Sequence, residues 1–271
     1  ADSELFPLGR CLRRGEGRHL LRGLRTRLSL PFTRRRVDAV FCLTEQIAEG
    51  WRRLGMGERV RRMPLGVDCA RFRPDEGARA RTRLRLGLQR PTVAFFGRLI
   101  PKKGAHDLVA ALCRLQGRDW QFLANDWGAA EGYAAALWEP LRAAGLEGRR
   151  VSVRLRHEEV ADCMRAADLV VVPSLWEEQY GRVAAEALAC GTAVVAYRRG
   201  GLPEVIGEAG LLLPSGDVGG LAAAMERLLA DAAERRRLGT LGRARALAEL
   251  SLERQAAAMA ATFAALRGAA P

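Results

Sequence analysis

The chain has 271 residues, with 44 Lys and Arg against 31 Asp and Glu, a formal charge of +13 at pH 7. Apolar residues make up 49% and charged residues 28%, enough for a sizeable core, which excludes wholesale disorder. No apolar run approaches the about 18 residues of a membrane span, and Ala1-Asp2-Ser3-Glu4 has neither the basic nor the apolar region of a signal peptide.

The first 36 residues read as basic and weakly helical, punctuated by Pro7, Gly15, Gly17 and Pro31. Val37–Leu43 reads as a buried strand, and Thr44 caps a helix over Glu45–Leu54 that Gly55 ends. Val60–Met63 is a second short strand. The Arg-rich stretch 69–90, with a short helix near 77–86, reads as a linker. A regular alternation follows: strands at Thr92–Phe96, Trp120–Ala124, Val151–Leu155, Leu169–Pro173 and Thr192–Tyr197, and a last short one at Gly210–Leu213. Helices at Ala105–Leu115, Ala130–Ala144, Glu158–Ala166 and up to Cys190-Gly191 lie between them. Such alternation predicts βαβ units and a doubly wound parallel sheet. Val170-Val171-Val172 and Ala193–Ala196 are apolar throughout, as strands covered on both faces must be. The rest, Val218–Gly268, is Ala-rich and helical, with Ser251 capping a final helix, Leu252–Arg267.

The charge is uneven. Residues 1–90 hold 22 basic and 10 acidic side chains, a balance of +12, which leaves +1 for residues 91–271. The basic third suits anionic surfaces such as lipid headgroups, or is simply a solvated face. With no recognised nucleic-acid motif, no nucleic-acid partner is expected. The six cysteines stand at least 27 residues apart with no CxxC pair, and read as reduced core residues of a cytoplasmic protein. His19, His106 and His157 are scattered, so no metal site is expected.

Ligands of open α/β sheets sit on loops beyond the carboxyl ends of the strands, and three such loops carry unusual residues. Gly97–Gly104 places Arg98, Lys102 and Lys103 between a strand and a helix start, where amides favour anions; the alternative is a solvated basic turn. Ser174–Gly191 carries Glu178 in a loop and Glu186 inside the next helix, one turn beyond Arg182. Glu186 lies among alanines, where an acid is costly unless something bonds it; a ribose diol is one partner, a surface ion pair the alternative. The third loop, Arg198-Arg199-Gly200-Gly201, allows close backbone approach.

Taken together, the Glu178–Glu186 spacing (E-x7-E), its surroundings P-S-L-W-E-E-Q-Y-G-R-V-A-A-E-A-L-A-C-G, the stretch P-L-G-V-D…F-R-P at 64–74, G-R-L-I-P-K-K-G at 97–104 and G-G-L-P-E-V-I at 200–206 closely resemble glycosyltransferase family 4. The resemblance runs from about Val37 to Leu266. It implies a GT-B fold: one complete Rossmann-like doubly wound sheet, with a C-terminal remnant of a first Rossmann-like domain. The implied division is 1–62 as that remnant, 63–90 as linker, 91–250 as donor-binding domain and 251–271 as a helix returning toward the first domain. The implied reaction is transfer of a sugar, with retention, from a nucleoside-diphosphate sugar to an unidentified acceptor, without a metal. Gly97, Arg98, Lys103, Glu178, Gly181, Arg182, Val183 and Glu186 would hold the donor, with Arg98, Lys103 and Glu178 as the catalytic set. Arg98 and Lys103 would meet the diphosphate, the amides of Gly181–Val183 would cap it, Glu186 would bind the ribose and Glu178 the transferred sugar. The base would lie near Val153–Arg156.

The sequence also departs from the family pattern. Leu65 stands where Asn is usual, Asn125–Gly128 replaces a glycine-rich turn, and no histidine matches the family's catalytic one. About 60 residues precede the linker, so the chain reads as a truncated form that binds donor without transferring sugar. A non-catalytic nucleotide-sugar-binding module is one alternative, and an epimerase or phosphorylase on this fold is another. The basic third suggests a cytoplasmic protein resting on the inner face of an anionic membrane.

Overall fold

The computed structural model describes residues 31, 32, 34–126, 128, 129 and 132–268. The basic stretch before residue 31, with Cys11 and His19, lies outside the described residues, as do residues 130 and 131 at the expected start of a helix. The chain divides into two compact units, 65–256 and 1–64 with 257–271.

The larger unit is built on six parallel strands: Thr92–Phe95 (β3), Gln121–Asn125 (β4), Arg150–Val153 (β5), Leu169–Val172 (β6), Ala193–Tyr197 (β7) and Leu211–Leu213 (β8). Their order in the sheet is β5-β4-β3-β6-β7-β8. The chain therefore runs outward from β3 to one edge, returns to β6, and runs outward to the other. Helices between strands are Ala105–Arg114 (α3), Tyr133–Ala143 (α4), Val160–Ala166 (α5), Arg182–Ala189 (α6) and Leu202–Ile206 (α7); Glu76–Leu86 (α2) precedes the sheet, and Val218–Ala230 (α8) and Ala232–Glu249 (α9) follow it. α3 packs on α4 and α8, whereas α5 packs on α2 and α6, and α6 on α9. These are the two helical layers of a doubly wound sheet, and they explain why β7 is buried at all five positions. The core beneath the first layer joins Val93 and Phe95, Leu108 and Leu112, Trp120 and Phe122, and Leu221 and Met225. Each fully buried side chain of this size contributes about 1.5–3 kcal/mol.

Local chemistry sets the helix starts. The Asp75, Asp217 and Asp231 carboxylates accept from Ala78 N, Gly220 N and Glu234 N at 2.8, 2.8 and 2.9 Å, which occupies one orphan amide of each helix. Ser251 does the same for the last helix, Leu252–Gly268 (α10), accepting from Arg254 N at 3.3 Å.

The stretch 69–90, read from sequence as a linker, is folded into the larger unit. Arg79 and Arg83 of α2 both reach Asp168, at 2.8 and 3.2 Å, and the same carboxylate accepts from Thr92 N at 2.7 Å. Arg243 of α9 donates to the carbonyls of Cys69 and Phe72, at 3.1 and 2.8 Å. Guanidinium groups spent on carbonyls and on one half-sheltered carboxylate, rather than on solvent, turn an Arg-rich stretch into an anchored one.

The smaller unit has Val40–Cys42 (β1) paired in parallel with Val60–Arg62 (β2), joined through Glu45–Trp51 (α1). The expected strand over 37–43 is shorter because only three residues find partners. The helix continues past Trp51 as a wider helical turn, Arg52–Met56, and its backbone is broken at Gly55, φ +77°, where the sequence places its end. Thr44 is the expected cap, accepting from Ile47 N at 3.4 Å. Cys42, Ala48, Met56 and Val60 form a small core, and Phe41 meets Phe263 at 6.1 Å between ring centroids.

Removing the shared carboxylate tests the anchoring of α2. Asp168→Ala leaves Arg79 and Arg83 half-buried and unpaired, so it should lower the unfolding free energy by about 3 kcal/mol or more. Urea unfolding measures this, and a loss below about 1 kcal/mol, the value of an exposed pair, would refute the anchoring role.

Candidate functional site

β3 and β6 are neighbours from which the chain leaves in opposite directions, so the loops after them flank a crevice at the carboxyl end of the sheet. The first loop, Gly97–Gly104, is pinned by Leu99, which is fully buried. The second, Pro173–Gly181, is sewn to it by backbone: the Lys102 carbonyl accepts from Leu175 N at 3.0 Å and from Trp176 N at 3.1 Å. Gly104 makes this possible. Its φ is +70°, and a Cβ there would lie 1.8 Å from the Pro173 carbonyl oxygen.

This seam brings Lys103 and Glu178 together. The ammonium donates to Glu178 Oε1 at 2.6 Å, and the buried Ser174 hydroxyl donates to the same oxygen at 2.8 Å. Both charged side chains are mostly sheltered, 27% and 16% exposed, so the pair is screened less than a surface ion pair. The third loop, after β7, closes on the same segment. Gly201 N donates to the Glu178 carbonyl at 2.6 Å. Gly200 N and Arg199 donate to the Glu177 carboxylate at 3.0 and 2.8 Å. A Cβ at Gly200, φ +51°, would fall 2.1 Å from the Glu178 carbonyl oxygen, so glycine is needed here for close approach.

Beyond Glu178, Gly181 takes φ +103° and turns the chain into α6, whose first residues are Arg182 and Val183. Glu186 lies one turn further in and is buried with Ala184, Ala185 and Ala187. Arg182, itself exposed, donates to Glu186 Oε1 at 3.2 Å. Burial lifts the Glu186 carboxyl above the ordinary carboxylate range, against the opposing pull of Arg182, His157 and Arg71. Its charged form has one donor among the described residues, the exposed Arg182 guanidinium.

Arg98 stands apart from this cluster. It is exposed, packs beside Gly128, and its guanidinium makes no hydrogen bond or ion pair among the described residues. Gly97 opens its loop above the Phe95 ring. At the expected base-recognition stretch, Leu155 N donates to Asn125 Oδ1 at 3.4 Å, and Arg156 caps a short turn with Glu159. Sequence reasoning missed Ser174 and Glu177, which hold the loops around Glu178. The Ser beside Pro173 and the paired Glu177-Glu178 were the available signals. His106 is exposed and hydrogen-bonds the Tyr133 hydroxyl at 2.9 Å. Among the described residues no group of three or more His, Cys, Asp and Glu side chains could hold a metal ion, and no helix is long and apolar enough to cross a membrane.

A family model described as Glycosyl transferases group 1 matches residues 90–231. The chain is 36% identical over 217 residues to the D-inositol 3-phosphate glycosyltransferase of Streptomyces bingchenggensis, covering 75% of this chain and 47% of that protein. It is 36% identical over 191 residues to the GDP-mannose-dependent alpha-(1-6)-phosphatidylinositol monomannoside mannosyltransferase of Mycolicibacterium smegmatis, covering 67% and 50%. The chain thus spans about half the length of the curated relatives it matches. Among solved structures, the sucrose-phosphate synthase of Thermosynechococcus elongatus superposes with a TM-score of 0.75 at 33% identity, covering 89% of this chain and 62% of that one. Anabaena HepE in complex with UDP and glucose superposes with a TM-score of 0.77 at 25% identity, covering 88% and 66%.

The raised Glu186 carboxyl has a consequence for the ligand-free protein. A carboxyl whose folded pKa exceeds its unfolded value costs stability as pH rises through the interval between them. Glu186→Gln should therefore be more stable than the wild type at pH 7, with the difference growing from about pH 4 upward and then levelling. Urea unfolding from pH 4 to 8 measures it; a constant difference would show that the Glu186 carboxyl is not raised.

Proposed function

The chain belongs to the group 1 glycosyl transferases and its fold is that of the GT-B enzymes, and from this membership and the site geometry we propose that the carboxyl-end crevice binds a nucleoside-diphosphate sugar. The observation that carries the reading is the pairing of Lys103 with Glu178 at 2.6 Å, with buried Glu186 eight residues further on at the start of α6. The bound UDP and glucose of Anabaena HepE and the GDP-mannose in the name of the Mycolicibacterium relative support a nucleotide-sugar donor.

In this reading the donor diphosphate lies between the Gly97–Gly104 loop and the amides of Gly181–Val183. There the α6 N-terminus, Lys103 and Arg98 stabilise the negative charge that develops on the leaving nucleoside diphosphate. These cations act where a divalent ion would otherwise serve, so binding needs no metal. Glu186 accepts the ribose hydroxyls and is stabilised by them. Glu178 accepts hydroxyls of the transferred sugar while Lys103 and Ser174 fix its orientation. Transfer proceeds with retention to an acceptor of unidentified class. The basic first third, with its balance of +12 over residues 1–90, suits peripheral contact with an anionic membrane.

Calorimetry with UDP, GDP and ADP tests the reading. At least one should bind, and a chelator should leave the affinity unchanged. Glu186→Gln should weaken nucleotide binding by about 1–3 kcal/mol, the value of a hydrogen bond to a charged group. Glu178→Gln should weaken the nucleotide sugar more than the bare nucleotide. Binding abolished by chelator would refute metal independence, and equal losses at position 178 for both ligands would remove its assigned contact.

A further inference from the structure

At the amino end of the larger sheet, away from the loops just described, lies a cavity of about 320 Å³. Thr192 and Ala193 at the start of β7 and Ala167 and Asp168 leading into β6 form its floor. Its walls carry four guanidinium groups: Arg79 of α2, Arg165 of α5, and Arg235 and Arg236 of α9. At about 3.3 Å per residue, the four- and five-residue strands hold this cavity roughly 15 Å from the carboxyl-end loops.

Two of the three acids that line the cavity are engaged. Asp168 is paired with Arg79 and Arg83 and bonded to Thr92 N. Asp75 accepts from Ala78 N, and that bond, with the charges of Arg165, Arg73 and Arg81, holds its carboxyl below the ordinary range. Glu76 is exposed. The cations are only partly committed. Arg165 is spent on Asp162 and on the carbonyls of Arg71 and Arg73. Arg235 gives Nη1 to the carbonyls of Leu228 and Leu229, and its Nε stands 3.9 Å from Asp168. Among the described residues, Arg235 Nη2 and the whole Arg236 guanidinium take no partner. The first residues of α2 and α9, helices of 11 and 18 residues, line the same space and add the favourable end of their dipoles.

We propose that this cavity is a second ligand site, for a small phosphate-bearing anion about one sugar phosphate in size. Planar guanidinium forks match phosphate oxygens two at a time, and the volume lies at the lower end of small-ligand pockets. Four guanidinium groups line the cavity against the carboxylates of Asp75, Glu76 and Asp168, and the donors left over on Arg235 Nη2 and Arg236 suit a phosphate group. The site is independent of the carboxyl-end crevice, and its proposal does not rest on the reading of that crevice.

The test uses the full chain, calorimetry and thermal unfolding, with glucose 6-phosphate, glucose and inorganic phosphate as probes. Glucose 6-phosphate should bind and raise the melting temperature, and glucose should do neither. Arg236→Ala, on an exposed side chain, should weaken binding about ten-fold without loss of fold, and Arg235→Gln should act in the same direction. Lys103→Ala, at the other end of the sheet, should leave this affinity unchanged. Loss with Lys103→Ala but not with Arg236→Ala would overturn the proposal by placing the anion at the carboxyl-end loops. An equal loss with Arg254→Ala, an exposed arginine elsewhere in the unit, would overturn it by showing diffuse charge attraction. Absence of binding up to about 10 mM would also overturn it. Inorganic phosphate binding as tightly as glucose 6-phosphate would overturn the assignment of size.

Discussion

The functional end of the larger unit depends on one close approach, that of the Gly104 backbone to the Pro173 carbonyl. Two loops leaving adjacent parallel strands at a topological switch point diverge by default, which is what opens a crevice there. Here they are drawn together by backbone contact. A Cβ at Gly104 would overlap the Pro173 oxygen at 1.8 Å, so any other residue would part the loops. With the loops apart, the Lys102 carbonyl would lose the amides of Leu175 and Trp176, and Lys103 would not reach Glu178. A backbone contact thus decides whether a charged pair exists at all.

The paired groups then carry different burdens. Glu178 is held on Oε1 by Lys103 and Ser174 and through its carbonyl by Gly201 N. These contacts fix its orientation. Glu186 is the opposite case. It has one 3.2 Å contact to a guanidinium that is itself 62% exposed, and burial opposes its charge. The protein carries this as lost stability at pH above the ordinary carboxylate range. One acid ties the loops together, and the other is buried with little to offset its charge.

The two ends of the same sheet treat arginine differently. On α2 and α9, Arg79, Arg83 and Arg243 are consumed in fixing the chain, on Asp168 and on the carbonyls of Ala166, Ala167, Cys69 and Phe72, whereas Arg236 of α9 takes no partner among the described residues. At the carboxyl end Arg98 and Arg182 remain exposed, and Arg182 spends one bond on Glu186. In a chain with 42 arginines and only two lysines, the count alone does not separate these uses. What separates them is whether a carbonyl or carboxylate lies within reach of the fork.

The sequence by itself determined the order and type of the elements in the larger unit. Apolar runs such as Val170–Val172 can be satisfied only between two layers, and Asp75, Asp217, Asp231 and Ser251 mark helix starts by chemistry that is local to each residue. It also determined which loops carry the charged residues, since βαβ alternation places them at the carboxyl ends whatever the details of packing. Tertiary structure alone decided the rest. The strand at 37–43 shrank to Val40–Cys42 because a strand extends only as far as its partner, and Val60–Arg62 is three residues long. The stretch 69–90 reads as a linker by composition, yet Asp168 and Arg243, 85 or more residues away from their partners at 83 and 72, fasten it to the larger unit. Ser174 and Glu177 gave no clear signal because their partners, Glu178, Arg199 and Gly200, become partners only when three loops converge. Arg98 and Lys103, five residues apart in one loop, were expected to act together. The structure gives Lys103 a carboxylate and leaves Arg98 free among the described residues, because reach across a fold is set by where the backbone turns and not by distance along the chain.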